Sequence, residues 1–205
     1  MVSISEIPKY TSLRHIQRIQ TITIAWMSVE AVVSLSAAWM ARSPALLAFG
    51  GDSIIELLSA VVVLWRFSVH PENRRAEARS ARVAGGLLFA LAAYVNVVSV
   101  MTLLGHNEPR PTFVGIAILI AAAVIMPWLA NRKRKLSADT GSAALRADAA
   151  QSGLCAYLSL IALVGLTVNA IWHISWADPV AALAITPLIL WEGKEAIRGR
   201  ACGCC

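Results

Sequence analysis

Charged residues are scarce in this chain. Asp, Glu, Lys and Arg make up 15% of its 205 residues, whereas a soluble domain carries about 25%. Apolar residues fill 58%, and the mean hydropathy is +0.65. Long apolar runs recur along the whole length, so no stretch of about 50 residues or more remains for a separate soluble domain. Also missing are a phosphate-binding glycine loop, a GxSxG nucleophile turn and an HExxH pair. These absences point away from nucleotide, serine-hydrolase and zinc-protease chemistry, and the chain reads as something other than an enzyme. Histidine is sparse too: His15, His70, His106 and His173 are scattered near predicted ends or loops and form no pair at ligand spacing.

What is present is six apolar segments, at about 20–40, 45–66, 83–104, 112–130, 143–171 and 179–195. Most are close to the roughly 20 residues that span a bilayer as a helix. The fifth is longer, and its start reads as solvated or tilted. Of the 18 Lys and Arg residues, all but Arg42 and Arg110 fall in the amino terminus, the second and fourth connections and the carboxyl tail. The positive-inside rule makes that side cytoplasmic. The expected fold is an all-α membrane protein, a six-transmembrane-helix bundle in the cytoplasmic (inner) membrane with both termini cytoplasmic. Residues 1–200 form its transport domain and 201–205 a Cys-rich tail. The run Arg132, Lys133, Arg134, Lys135 then reads as a topology determinant, and nucleic acid is not an expected partner. The first apolar stretch is too long for a signal-peptide core and stays as a helix. "KYTSLRHIQRIQ" before it reads as a basic amphipathic lead-in on the anionic inner leaflet.

Within "GGDSIIELLSAVVVLW", Asp52 and Glu56 stand one helical turn apart in an otherwise uncharged run. A charged side chain at the centre of a bilayer costs roughly 3 kcal/mol on insertion scales. Ser43 and Pro44 suggest that the helix starts near them, which puts both carboxylates well inside it. Two carboxylates this close repel, so one holds a proton unless a cation sits between them. The pair reads as a cation or proton site.

The second and fifth segments begin alike. "SPALLAFGGDSIIELLS" aligns without a gap on "SAALRADAAQSGLCAYL", matching Ser43, Ala45, Leu46, Ala48 and Ser53 with Ser142, Ala144, Leu145, Ala147 and Ser152. Asp52 then falls on Gln151 and Glu56 on Cys155, so both helices present a polar pair at i and i+4. Two donors from each of two helices is how a metal site is built inside a bundle. A thiolate shifts such a site toward borderline metals such as zinc or cadmium. Asp148, one turn before Gln151, reads as a ligand met at the cytoplasmic mouth or as a first-turn residue. Glu30, alone in the first helix, reads as accessory, either a proton site or an anchor to Asn96 or Tyr94. Asp178 in "WADPV" reads as an N-cap ahead of Pro179. Cys202, Cys204 and Cys205 offer three cytoplasmic thiols, too cramped for a closed zinc site, that could pass a thiophilic metal on or carry lipid.

These segments resemble the cation diffusion facilitator (cation efflux) family. "RSPALLAFGGDSIIE" is similar to the family's lead into the second helix, "ADAAQSGLC" to its fifth-helix motif, and "WADPVAALAI" to the opening of its sixth helix. The resemblance implies six helices with cytoplasmic termini and proton-coupled efflux of a divalent transition metal. Zinc comes first, with cadmium, cobalt, iron and manganese as alternatives. Carried over by position, the ligands are Asp52, Glu56, Gln151 and Cys155. The departures are Gln151 and Cys155, where the family usually has His and Asp. The chain also stops at Cys205, where the family usually continues into a cytoplasmic metal-binding domain. The expectation is therefore a short branch of the family, with metal ions, protons and the lipid bilayer as partners and a homodimer as one option for its assembly, a main dimer contact of the family being lost with that domain. Two other readings stand beside it: a non-transporting membrane metal sensor or buffer that uses the Cys tail, and a membrane thiol enzyme that uses Cys155.

Overall fold

A computed structural model describes residues 7–69, 74–106, 108–140 and 143–198 of the chain. They form six helices: α1 (Ile7–Ala41), α2 (Pro44–Val69), α3 (Arg74–Leu103), α4 (Phe113–Thr140), α5 (Ala143–Trp172) and α6 (Ala177–Arg198). No strand occurs among the described residues. The helices cover all six apolar segments but extend past them. The basic lead-in is not a separate element, because α1 runs through it unbroken from Ile7.

The start of α2 shows how local sequence sets these boundaries. α1 closes with Arg42 in the left-handed region (φ 53°), while Ser43 N–H donates to Ala38 O at 3.1 Å. That six-to-one bond is the usual way a helix satisfies its last carbonyls. Ser43 then caps the next helix, its hydroxyl accepting from Leu46 N–H at 3.1 Å, with Pro44 at the first helical position. Asp178 acts here too, and this corrects the expectation for it. Its carboxylate caps α2 rather than its own helix, accepting from Ser43 Oγ and from Ala45 N–H at 3.0 Å.

Three connections meet at this end of the bundle. Arg110 N–H donates to Ala41 O at 2.7 Å, and Asn169 Nδ2 donates to Pro109 O at 3.2 Å. The starting end of α1 and the finishing end of α6 lie toward the opposite face, called the terminal face below.

α2 is the central helix, packed against α1, α3, α5 and α6, while α4 lies between α1 and α5. Glycine lets α3 and α6 approach closely: a Cβ on Gly85 would stand 2.7 Å from Gly193 O. Such close backbone contact is typical of helices associating in lipid. Burial is uneven at the start of α5: Leu145, Asp148 and Ala149 are buried against their neighbours, whereas Arg146 is exposed.

Large apolar side chains such as Val32, Val124, Val164 and Ile171 face outward, as they should in a lipid solvent. Trp39, Phe113, Trp172 and Trp176 are exposed near the loop end, where aromatic residues mark a membrane interface. Among the described residues, five helices are long and apolar enough to cross a membrane. The 22 residues of α6 measure about 33 Å, and this helix carries Glu192, Lys194 and Glu195 near its finish.

Candidate metal centre

The i, i+4 spacing puts Asp52 and Glu56 on one face of α2, turned toward α5. Cys155 meets them there. One ligand atom from each of these three residues lies within 4.8 Å of the other two, and all three side chains are buried. Both carboxylate oxygens of Asp52 and Oε2 of Glu56 have no hydrogen-bond partner. Buried carboxylate oxygens are normally satisfied, and an ionised one left bare is costly. A cation between Asp52, Glu56 and Cys155 would satisfy these oxygens and cancel the repulsion at once.

Glu30 shows the opposite behaviour. It accepts from Trp26 Nε1 at 2.6 Å, Ser53 Oγ at 2.7 Å and Cys155 Sγ at 3.6 Å. Neither anchor expected for it takes part: Asn96 donates to Ala92 O of its own helix, and Tyr94 is exposed. Trp26 sits one turn earlier on α1 and Ser53 sits on α2, so Glu30 is fixed against the central helix instead. Its Oε1 thus lies beside the Cys155 thiol.

Gln151 is only half-buried, whereas the residue beside it, Ser152, is fully buried and donates to Glu56 Oε1 at 2.6 Å. One residue along a helix turns the side chain by about 100°, and that turn aims Ser152 at α2. Asp148 is buried but is engaged by other groups, accepting from Lys133 Nζ at 2.9 Å and Gln20 Nε2 at 2.8 Å. Cys202, Cys204 and Cys205 lie outside the described residues.

Glu192 on α6 carries no signal in the sequence, yet its side chain is buried. Both of its carboxylate oxygens lack a hydrogen-bond partner, and α6 packs against α2, the helix that carries Asp52 and Glu56. Among the described residues, six carboxylates are buried (Glu30, Asp52, Glu56, Asp148, Asp178 and Glu192), against one buried base, Lys133. That imbalance calls for exchangeable cations or protons.

A bundle of lipid-facing helices around buried, uncompensated carboxylates is the architecture of a multi-pass membrane protein that handles cations. Residues 21–198 match the cation efflux transmembrane domain, and the chain belongs to that family. It is 24% identical over 190 residues to the manganese efflux system protein MneS of Bacillus subtilis, covering 88% of this chain and 65% of that protein. It is 29% identical over 178 residues to the uncharacterized transporter sll1263 of Synechocystis, covering 81% of this chain and 56% of the relative. The uncharacterized transporter YdbO of Bacillus subtilis is 28% identical over 170 residues, covering 78% and 58%. The chain thus spans between 56% and 65% of the length of these relatives.

Proposed function

We propose that this chain is the transport unit of a proton-coupled exporter of divalent transition metals, with zinc as its preferred cargo. The observation that carries this reading is the meeting of Asp52, Glu56 and Cys155 between α2 and α5, with three carboxylate oxygens left bare. Metal from the cytoplasm displaces protons from these groups, because carboxylate and thiol ligands must be deprotonated to bind. The thiol proton has an acceptor at hand in Glu30 Oε1, 3.6 Å from Cys155 Sγ. Reprotonation from the outer side then weakens the ligands and releases the metal. Glu192, buried on the adjoining α6 with both oxygens bare, is a further carboxylate able to take up a proton or share a cation. Gln151 and Asp148 stay as candidate donors that a shift of α5 could bring in.

Cargo identity has one rival reading. Oxygen donors outnumber the single sulfur, and carboxylate-rich sites suit manganese, while thiolate selects zinc or cadmium. The efflux of manganese named for one relative makes it the second candidate.

The test is zinc and manganese flux with proton counterflow in proteoliposomes. Asp52→Asn, Glu56→Gln and Cys155→Ala should each lower flux of the preferred metal about tenfold or more. Unchanged flux in all three would contradict the site.

A further inference from the structure

Lys133 lies on α4 between Arg132 and Arg134, which are both exposed, yet its own side chain is completely buried. Two turns remain before α4 finishes at Thr140, so a lysine here could extend its stem to the surface. It turns inward instead. Nζ stands 2.9 Å from Asp148 Oδ2, 2.8 Å from Ser152 Oγ and 4.0 Å from Glu56 Oε1. Ser152 passes the contact on to Glu56, and Gln20 Nε2 closes the belt by donating to Asp148 Oδ2 at 2.8 Å.

This belt joins α1, α2, α4 and α5. Ser152 lies one turn from Cys155 toward the terminal face, and Asp148 lies one turn further. An ion approaching from that face therefore meets the ammonium before it meets Asp52 and Cys155. Glu56 is held at the same time by the donor chain from Lys133 through Ser152. Three oxygens along the belt, Gln20 Oε1, Asp148 Oδ1 and Glu56 Oε2, are buried with no partner. With the ammonium withdrawn, they make an oxygen-only station on the way to the sulfur-containing site.

We infer that Lys133 is a tethered cation that keeps the terminal-face mouth shut, and that an incoming divalent metal displaces it from Asp148 and Glu56. Lys133 is a gating and positioning residue, not a ligand. The identity of the incoming metal rests on the proposed function, but the closed mouth does not. The gate is a contact between side chains, readable without any transport.

The experiment uses the full chain with Cys202, Cys204 and Cys205 changed to Ser, which leaves Cys155 as the only thiol of the four. A membrane-impermeant methanethiosulfonate reagent is applied to inverted and to right-side-out vesicles. Lys133→Met should raise the Cys155 labelling rate roughly tenfold, the factor produced by losing about 1.4 kcal/mol of closed-state preference. The rise should appear from the terminal face alone. Lys133→Asp and Asp148→Lys should each open the mouth, and the double variant should close it again by restoring the pair in reverse. A merely misfolded protein gives no such rescue. Zinc and manganese binding to Lys133→Met should tighten several-fold, since the competing cation is gone. Unchanged labelling in all three single variants, an equal rise from both faces, or weaker metal binding in Lys133→Met would overturn the proposal. Unchanged flux in Asp52→Asn with this labelling pattern intact would overturn the transport site and leave the gate, whereas loss of flux without the labelling pattern would overturn the gate and leave the site.

Discussion

Ser53 and Ser152 occupy the same register in α2 and α5, and each places a buried hydroxyl on a carboxylate of another helix. Ser53 Oγ lies 2.7 Å from Glu30 Oε1, and Ser152 Oγ lies 2.6 Å from Glu56 Oε1. The internal repeat thus has a physical content beyond its alanines and leucines. Each half supplies a serine that orients a carboxylate near the site, one fixing the neighbour of Cys155 and the other fixing Glu56.

Removing either hydroxyl should loosen the site without removing a ligand. Partners of this kind typically contribute 10–100-fold to metal affinity, so Ser152→Ala and Ser53→Ala should each weaken zinc binding about tenfold. Calorimetric titration in detergent measures it. Affinity equal to wild type in both variants would make the serines packing residues only.

Cys155 should control which metal is preferred. Replacing its soft sulfur with a hard carboxylate in Cys155→Asp should move selectivity from zinc and cadmium toward manganese, by roughly tenfold in the ratio of fluxes. Parallel flux measurements with the two metals give the ratio directly. A ratio that does not move would show that the sulfur contributes nothing to selection.

Asp178 should matter for stability because it caps α2 from α6. Asp178→Ala removes the acceptor of Ala45 N–H and the partner of Ser43 Oγ, and losing a cap costs about 1–2 kcal/mol. Asp178→Asn keeps one acceptor oxygen and should recover part of the loss. Thermal unfolding of the purified variants in detergent orders the three proteins, and wild-type stability in Asp178→Ala would contradict the cap.

Much of this architecture is legible in the order of the residues. Six apolar segments become six helices, and the i, i+4 spacing of Asp52 and Glu56 announces a polar face inside one of them. The repeat sets Cys155 across the interface from Glu56, and its sulfur lies within 4.8 Å of ligand atoms of Asp52 and Glu56. The same alignment sets Gln151 opposite Asp52, but the hydrogen bond to Glu56 comes from Ser152. The repeat matches Ser152 to Ser53 without saying that either hydroxyl meets a carboxylate, and only the packing of α5 on α2 decides which of two adjacent residues faces inward. Lys133 is hidden for a similar reason. In a run of four basic residues each explains topology equally well, and nothing local says that one turns into the core. Glu192 sits in "WEGKEAI", which looks like the polar finish of a helix, and the burial of its carboxylate follows from how α6 lies against α2. Glu30 needs a partner on energetic grounds, but Trp26 and Ser53 become its partners only once α1 is docked on α2.

The central claim is that Asp52, Glu56 and Cys155 together hold the transported ion. Anomalous diffraction from crystals soaked with zinc or manganese tests it most directly, because the scattering peak identifies both the metal and its position. One strong peak is expected about 2.0–2.3 Å from carboxylate oxygens of Asp52 and Glu56 and from Cys155 Sγ, lost in Asp52→Asn. A metal peak elsewhere in the bundle, with none between α2 and α5, would contradict it.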